Sequence, residues 1–334
     1  MNTPKVTIAV SVYNVEQFVR ASMDCIVNQT MHDIEILCID DASTDGTWDI
    51  LQEYARNDND NRIKLFKQEK NFGLSVSRNK AIELANGEYL IMLDGDDLFA
   101  LDMVEKAYNK AIETHADMVL WDYCVFYDEV QLKSIRRQQS TLIGISADDK
   151  IALLRRPAFI WTKLLKTSTI RDLNIKFTPG LTKQDIPIHW QLITSLKNIV
   201  ILPERLSYYR QQPNSTTNRR GRSLFSLAKV MDITSEYLHD NGLYEKYRDE
   251  FLRSRLTLLH GMFDSIKKEY KNEALTIVLD RIDADAKEYL SSSRCELSFR
   301  CKDFYGMLFG NFLSKIRYKS FLGIRSVYRF LKKD

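Results

Sequence analysis

Two clusters of carboxylates interrupt otherwise apolar stretches of this chain. Asp40 and Asp41 end the run IEILCI, and Asp94-Gly95-Asp96-Asp97 directly follows YLIML. Acids gathered at one place repel one another unless a cation or hydrogen-bond donors compensate them, and hard oxygen ligands of this kind suit Mg²⁺ or Mn²⁺. A Gly between two acids is expected to let the backbone bend so that the side chains converge on one ion. Further along, Gln184-Asp185-Ile186-Pro187 puts an acid where a helix should open. There it can serve as an N-cap with Pro in the first turn. Tyr13, in Val12-Tyr13-Asn14, can stack on a nucleobase or simply pack. Arg78 can meet a pyrophosphate or pair with an acid of the cluster.

Both acid clusters gain meaning from the elements in front of them. The first 128 residues alternate β-like apolar runs with helix-period segments, a pattern of βαβ units and a mainly parallel sheet. Strands are expected at Val6 to Tyr13, Ile34 to Ile39, Ile63 to Phe66, Tyr89 to Leu93 and Met118 to Phe126. Helices are expected at Val15 to Asn28, from Thr47, and at Leu74 to Leu84, the last stopped by Asn86-Gly87. Runs without alternation, such as YLIML, imply strands buried on both faces of a doubly wound sheet. In such a sheet the ligand crevice lies outside the carboxyl ends of the strands, so the two acid clusters should share one edge. The common nucleotide signatures are missing: no GxGxxG follows the first strand, and no GxxxxGK[ST] occurs. Beyond Ala147 come an apolar run FIWTKLLK, a helix near Asp185 and a short strand IVIL. From Ser223 the chain reads as helical almost to its end.

Composition sets the outer limits. The chain has 334 residues, 44% hydrophobic and 28% charged, with only 12 Gly and 6 Pro, which excludes disordered and collagen-like classes. Its longest uncharged apolar stretch, Phe304 to Ser314, is 11 residues, well below the roughly 20 needed to span a bilayer. The start MNTPKVTIAV carries no secretory pattern, so a cytoplasmic location is expected, possibility of the membrane's inner face included. Five cysteines without a CxxC read as reduced, buried thiols. The net charge of +3 conceals a split: residues 300–334 sum to +7 and the rest to −4. In that tail Phe304, Leu308, Phe309, Phe312, Ile316, Phe321, Ile324, Tyr328 and Leu331 recur at near-helical spacing among basic residues. An amphipathic basic helix of this kind reads as contact with an anionic membrane through residues 303–334, or as a helix packed on the body. Nucleic acid is not expected as a partner.

These motifs, in this order and at these separations, resemble a family 2 glycosyltransferase of the GT-A fold over residues 5 to 217. The resemblance is carried by VSVYNVEQFV, CIDDASTDGTWDIL, KNFGLSVSRNKAIELANGEYLIMLDGDDLF, FIWTKLLKTSTIRDLNIKF, KQDIPIHWQL and LSYYRQQPNST. It implies a catalytic domain over 1–217, with a nucleotide-sugar half to about 128 and an acceptor half after it, and a helical region over 218–334 bearing the basic tail. It further implies that Tyr13, Glu16, Asp40, Asp41, Asn71 and Arg78 contact the donor nucleotide and its phosphates. Asp94 and Asp96 resemble the DxD pair that holds Mn²⁺ or Mg²⁺ on the donor diphosphate, and Asp185 falls at the catalytic-base position, a role compatible with an N-cap because a capping carboxylate stays ionised as a base must, with His189, one turn on, as the runner-up base. The implied reaction is inverting transfer from a nucleotide diphosphate sugar, UDP-linked by resemblance, to a saccharide or lipid-linked glycan in cell-surface polysaccharide or lipopolysaccharide synthesis. The usual Glu-Asp motif reads Gln184-Asp185 here, which leaves open a catalytically impaired, saccharide-binding homologue. A sugar nucleotidyltransferase would need a Gly-rich, Arg-bearing loop after the first strand, which is missing.

Overall fold

In the computed structural model the described residues are 3–127, 139–211, 220–311, 313–315 and 317–319. The chain forms two compact units, Met1–Asn218 and Arg219–Asp334.

The first unit is built on an eight-stranded sheet of order β3-β2-β1-β4-β7-β6-β8-β5. The strands are β1 (Val6–Val12), β2 (Ile34–Asp40), β3 (Ile63–Lys67), β4 (Tyr89–Asp94), β5 (Leu98–Phe99), β6 (Met118–Phe126), β7 (Lys163–Lys166) and β8 (Ile199–Arg210). β1 pairs in parallel with β2 and β4, and β2 with β3. Every residue of β1 and β2 is buried, the polar Thr7, Ser11, Glu35 and Asp40 included, as expected of strands covered on both faces. Helices α1 (Glu16–Val27), α2 (Thr47–Asn57), α3 (Leu74–Leu84) and α4 (Met103–Thr114) connect these strands. α1 and α4 bury ordinary apolar stripes, Val19, Met23 and Ile26 on one and Met103, Val104, Ala107 and Ala111 on the other. α3 differs, burying Ser75, Ser77 and Arg78 beside Ala81 and Ile82. Small hydroxyls and one cation on a helix's inner face signal a polar site beneath it.

β7 runs antiparallel to both β4 and β6, and β6 is parallel to β8. Consequently the carboxyl ends of β1, β2, β4, β6 and β8 face one edge. β8 is longer than the expected IVIL strand: it continues through Pro203 to Arg210. Proline cannot donate to a ladder, and here the register skips from Trp121↔Leu202 to Asp122↔Arg205, so Pro203 lies in a bulge and the strand resumes beyond it. The run FIWTKLLK is a single 3₁₀ turn, Ile160–Thr162, leading into β7. Shorter helices α5 (Lys150–Leu154) and α6 (Thr167–Asp172) precede α7 (Asp185–Ser195).

The second unit is helical: α8 (Ser226–Asp240), α9 (Tyr244–Ser265), α10 (Lys271–Leu279), α11 (Ala284–Ser291) and α12 (Phe299–Leu308). Gly242, at φ +65°, makes the turn between α8 and α9, a conformation that costs glycine little. Asp283 caps α11 by accepting from Ala286 N (2.8 Å) and also pairs with Arg255 (2.8 Å). Phe304, on the tail stripe read as facing either a membrane or the body, is fully buried against the rings of His260, Phe263 and Tyr318. Phe309 and Leu313 are exposed. Phe312, Ile316, Phe321, Ile324, Tyr328 and Leu331 lie outside the residues whose side chains are described. None of the five cysteines forms a disulfide, and four of them are buried. Among the described residues no helix is long and apolar enough to cross a membrane.

Candidate active site

At the carboxyl ends of β1 and β2, two loops are laced together by side chains that replace a missing ladder. Asn14, at φ +50°, donates its N–H to Ser43 Oγ (3.0 Å) and accepts at Oδ1 from Thr44 N (2.8 Å). Glu16 Oε2 accepts from Gly46 N (2.7 Å), and Asp45 accepts in turn from Glu16 N (3.1 Å). Glu16 therefore has a structural tie in addition to any ligand. Asp40 is fully buried, with Oδ1 accepting from the Ser43 amide (3.1 Å) and hydroxyl. Asp41 accepts from Gln68 Nε2 (2.7 Å) and Phe72 N (2.8 Å) at Oδ1 and from Gly73 N (2.7 Å) at Oδ2. That carboxylate fixes the loop that opens α3, where Gly73 sits at φ +89°. Asn71, in the same loop, is exposed, and Tyr13, just past β1, is 44% exposed. Hydrogen-bond donors thus compensate Asp41 at both oxygens and Asp40 at one; Asp40 Oδ2 meets no donor and has Lys67 Nζ at 3.8 Å.

The β4 acids are compensated far less. Asp94 closes β4 opposite Ser11. Gly95 N donates to Ser11 O (3.0 Å), and a Cβ on Gly95 would lie 2.5 Å from Val12 Cγ1. The glycine is needed for this close approach to β1, and its φ is not among the positive ones. Asp97 is buried and accepts at Oδ1 from Arg210 N (2.8 Å), while its Oδ2 meets no donor. Burial, aided by Asp94, pushes the Asp96 carboxyl up to about 6, and burial with Asp96 and Asp94 nearby raises Asp97 well above the ordinary range. An orphaned buried oxygen and two reluctant carboxylates among hard oxygen donors fit a divalent cation. Asp94 and Asp96 would hold it. Among the described residues no three His, Cys, Asp or Glu side chains form a closed cage, so such an ion would share its remaining ligands with bound diphosphate or water.

Arg78 joins this cluster to α7. Its guanidinium, 2% exposed, donates to Asp94 Oδ1 (2.9 Å) and Oδ2 (3.3 Å) through one nitrogen and to Asp185 Oδ1 through another. The pairing with acids expected of Arg78 is thus present, and it does not exclude a pyrophosphate contact. Burial opposes its charge, but Asp185 and Asp94 outweigh that and hold the group protonated. Phe177 stacks beneath it, 5.5 Å from ring centre to guanidinium carbon. Asp185 is not the expected N-cap: it is the first residue of α7, Gln184 precedes it as cap residue, and neither makes a side-chain capping bond. The carboxylate turns instead to Arg78 and to the backbone of Ile160. Burial raises Asp185 above the ordinary aspartate value, with Arg78 opposing. His189 loses its case as the alternative base. It is buried with Nε2 3.0 Å from Leu153 O, and burial pushes its imidazole down to about 3.

Three groups escaped the sequence reading. Asp97 stood in the quoted motif without a role. Arg210 closes LSYYR, donates its Nε–H to Asp96 O (3.0 Å), and lies over the rings of Phe18 and Phe126. Lys163 is a buried cation whose ammonium bonds Phe159 O; burial lowers it to about 8, with Asp185 resisting. A lone Lys inside the apolar run FIWTKLLK was the signal available, because a lysine rarely enters a sheet interior without a partner.

The family model described as glycosyl transferase family 2 matches residues 7–167. An uncharacterized glycosyltransferase of Haemophilus influenzae is 30% identical over 211 residues, which cover 63% of this chain and 80% of that protein. This chain belongs to glycosyl transferase family 2. EpsH of Bacillus subtilis, named as a glycosyltransferase, is 29% identical over 257 residues, covering 75% of this chain and 74% of EpsH. The crystal structure of S. aureus TarS 1-349 in complex with UDP-GlcNAc superposes with a TM-score of 0.56 at 18% identity, covering 85% of this chain and 91% of that one. That likeness is one of fold, and it makes the first unit a GT-A sheet. The family 2 chain is a glycosyltransferase, and its polar helix α3 and acidic sheet edge lie within the matched segment.

Proposed function

We propose that this glycosyltransferase moves a sugar from a UDP-linked donor to a saccharide hydroxyl with inversion at the anomeric carbon, in assembly of cell-surface polysaccharide or lipopolysaccharide. The observation that carries the reading is the single buried guanidinium of Arg78 bonded to both Asp94 and Asp185. It gathers on one side chain the carboxylate proposed to face the donor diphosphate and the carboxylate proposed as base. Asp185 takes the acceptor proton as the hydroxyl oxygen bonds to the anomeric carbon, and the electron pair of the broken bond leaves on the diphosphate. Mn²⁺ or Mg²⁺, held by Asp94 and Asp96, would neutralise the charge that develops there. Tyr13 offers an exposed ring for the uracil, with Glu16, Asp40, Asp41 and Asn71 shaping the pocket around it. The UDP-GlcNAc bound by TarS is in keeping with a UDP donor. Incubation with UDP-sugars and Mn²⁺ tests the whole reading: release of UDP that stops in a chelator is expected, and no release under any donor would reject it.

Tyr13→Ala is expected to weaken UDP binding about 5- to 100-fold through lost stacking. Titration calorimetry with UDP checks this, and an unchanged dissociation constant would move the nucleobase elsewhere.

Contact with the inner face of an anionic membrane is part of the proposal, with lipid-linked glycan as one acceptor class, and a truncation tests it. Asp303, Phe304, Tyr305 and Tyr318 are buried within the second unit, so a cut at 303 would damage that unit. A chain ending at Lys319 spares them and still removes Arg325, Arg329, Lys332 and Lys333. At roughly 1 kcal/mol per basic residue near the surface, this truncation is expected to lose most sedimentation with anionic liposomes at low salt. Equal sedimentation of both forms would assign the tail no lipid role.

A further inference from the structure

Lys163 is a buried charge that the proposed transfer does not yet use. It opens β7, the strand between β4 and β6, with only 2% of the residue exposed, and its ammonium bonds Phe159 O four residues back. The same carbonyl accepts from Thr162 Oγ1 (3.0 Å), and the Lys163 backbone N–H donates to Ile160 O. Two side chains and one backbone bond thus close residues 159–163 into a tight turn. The Phe159 ring adds a hold of its own, stacked on Trp161 (4.6 Å) and edge-on to Tyr123 (5.2 Å). A hydroxyl such as that of Thr162 can tie a turn without placing a charge in the sheet interior, so an ammonium buried for that purpose alone would be a needless cost.

What the charge adds lies at Asp185. The turn sets the Ile160 backbone N–H against the Asp185 carboxylate. Burial opposes the Lys163 charge, and the same carboxylate supports it. Also acting on Asp185 are Arg78 on α3 and Asp94 at the end of β4, with Lys183 in the loop before α7, while on α7 itself burial keeps His189 neutral. Arg78 is shared between two acids and is devoted to neither. A second cation acting on Asp185 lets one guanidinium serve both sides of the site. The Asp185 side chain is still 16% exposed, so these ties leave part of it open to an acceptor.

We propose that Lys163 is a positioning residue for the base: through Phe159 O it fixes the turn that sets Ile160 against Asp185, and its ammonium is the second cation, beside Arg78, that holds that carboxylate. The proposal rests on the reading of Asp185 as the base and adds to it a residue from β7.

UDP release by the full chain from a UDP-sugar in Mn²⁺, resolved into kcat, donor KM and pH profile, tests this with Lys163 changed three ways. Lys163→Met removes both the bond to Phe159 O and the charge, and should lower kcat about 10- to 100-fold with donor KM within about threefold. Lys163→Gln keeps a donor for the turn and should lose less. Both should move the acid limb of kcat to higher pH by about one pH unit, because a carboxylate that loses a nearby cation is protonated more easily. Lys163→Arg keeps donor and charge, and should restore most of the turnover and the parent's limb. A limb unmoved in both neutral variants, no rescue by Arg, or a donor KM that rises as much as kcat falls overturns the proposal. Should neither neutral variant fold, Thr162→Val decides: it takes the other side-chain donor from Phe159 O and leaves the charge, so kcat should fall about 3- to 10-fold with the limb in place. An unchanged kcat there also overturns the proposal. The two readings fail differently. A parent without an acid limb, or a limb that survives Asp185→Asn, sinks the base itself, whereas a limb that Asp185→Asn abolishes and neutral residue 163 leaves in place sinks this inference alone.

Discussion

Replacing Asp185 with Asn is expected to lower transfer by about 10²- to 10⁴-fold while donor affinity stays within about threefold. The amide keeps the shape of the carboxylate and can still accept from Arg78, but it cannot take the acceptor proton. It does leave the buried guanidinium with one anionic partner instead of two, so the melting temperature should fall by the equivalent of about 1 to 3 kcal/mol. Separate measurement of kcat, KM and stability distinguishes the roles: equal loss of turnover and donor affinity would make Asp185 a structural partner of Arg78. The pH profile gives an independent reading. Burial raises this carboxyl, and a base works only when deprotonated, so activity should fall with decreasing pH at values above the ordinary aspartate range. In Asp185→Asn that acid limb should vanish from the residual rate.

Asp96→Ala should have opposite effects on activity and on stability. Divalent-dependent turnover is expected to drop by about 10²-fold or more, since an oxygen ligand proposed for the ion is gone. In a chelator, however, the variant should be more stable at pH 7. The folded-state value of Asp96, about 6, lies above the ordinary 3.8, so its ionised form destabilises the native state above about pH 6, and this penalty disappears below about pH 4. Removing the acid should yield about 1 kcal/mol at pH 7, a figure discounted for partial exposure. Thermal melts across pH check the sign. A variant with activity within threefold of the parent would place the ion elsewhere.

The parts of this molecule governed by local pattern were readable from residues alone. The unbroken apolar runs of β1, β2 and β4 and the stop at Asn86-Gly87 located the first half of the sheet to within a residue or two. The acids at the ends of β2 and β4 fall on one edge because β1 pairs in parallel with both. What sequence could not show was how those acids are satisfied. Asp41 accepts from Phe72 and Gly73, some thirty residues on, a tie that no local pattern foretells. The pairing of Arg78 with Asp185, 107 residues away, was out of reach of sequence because only tertiary packing brings the two together. β8 was cut short because Pro203 is an ordinary strand terminator, and only the partner strand reveals the bulge that lets pairing resume. The tail's periodicity predicted an amphipathic helix but not which medium its apolar face would meet.

A small reciprocal pair has consequences for how this enzyme can vary. Asn79 on α3 donates from Nδ2 to Phe177 O and accepts at Oδ1 from Phe177 N, both at 2.8 Å, so one side-chain amide takes the place of a strand rung. Ser75 adds a bond to Thr178 O (2.8 Å). The segment leading to Asp185 is thus moored to the helix that carries Arg78 before it loops through Gly180 and Lys183, both at positive φ, to reach α7. With one end moored on α3 and the other anchored by the Arg78–Asp185 pair, the intervening loop can change length or sequence without misaligning the carboxylate. Evolution could rework it to suit new acceptors at little catalytic risk.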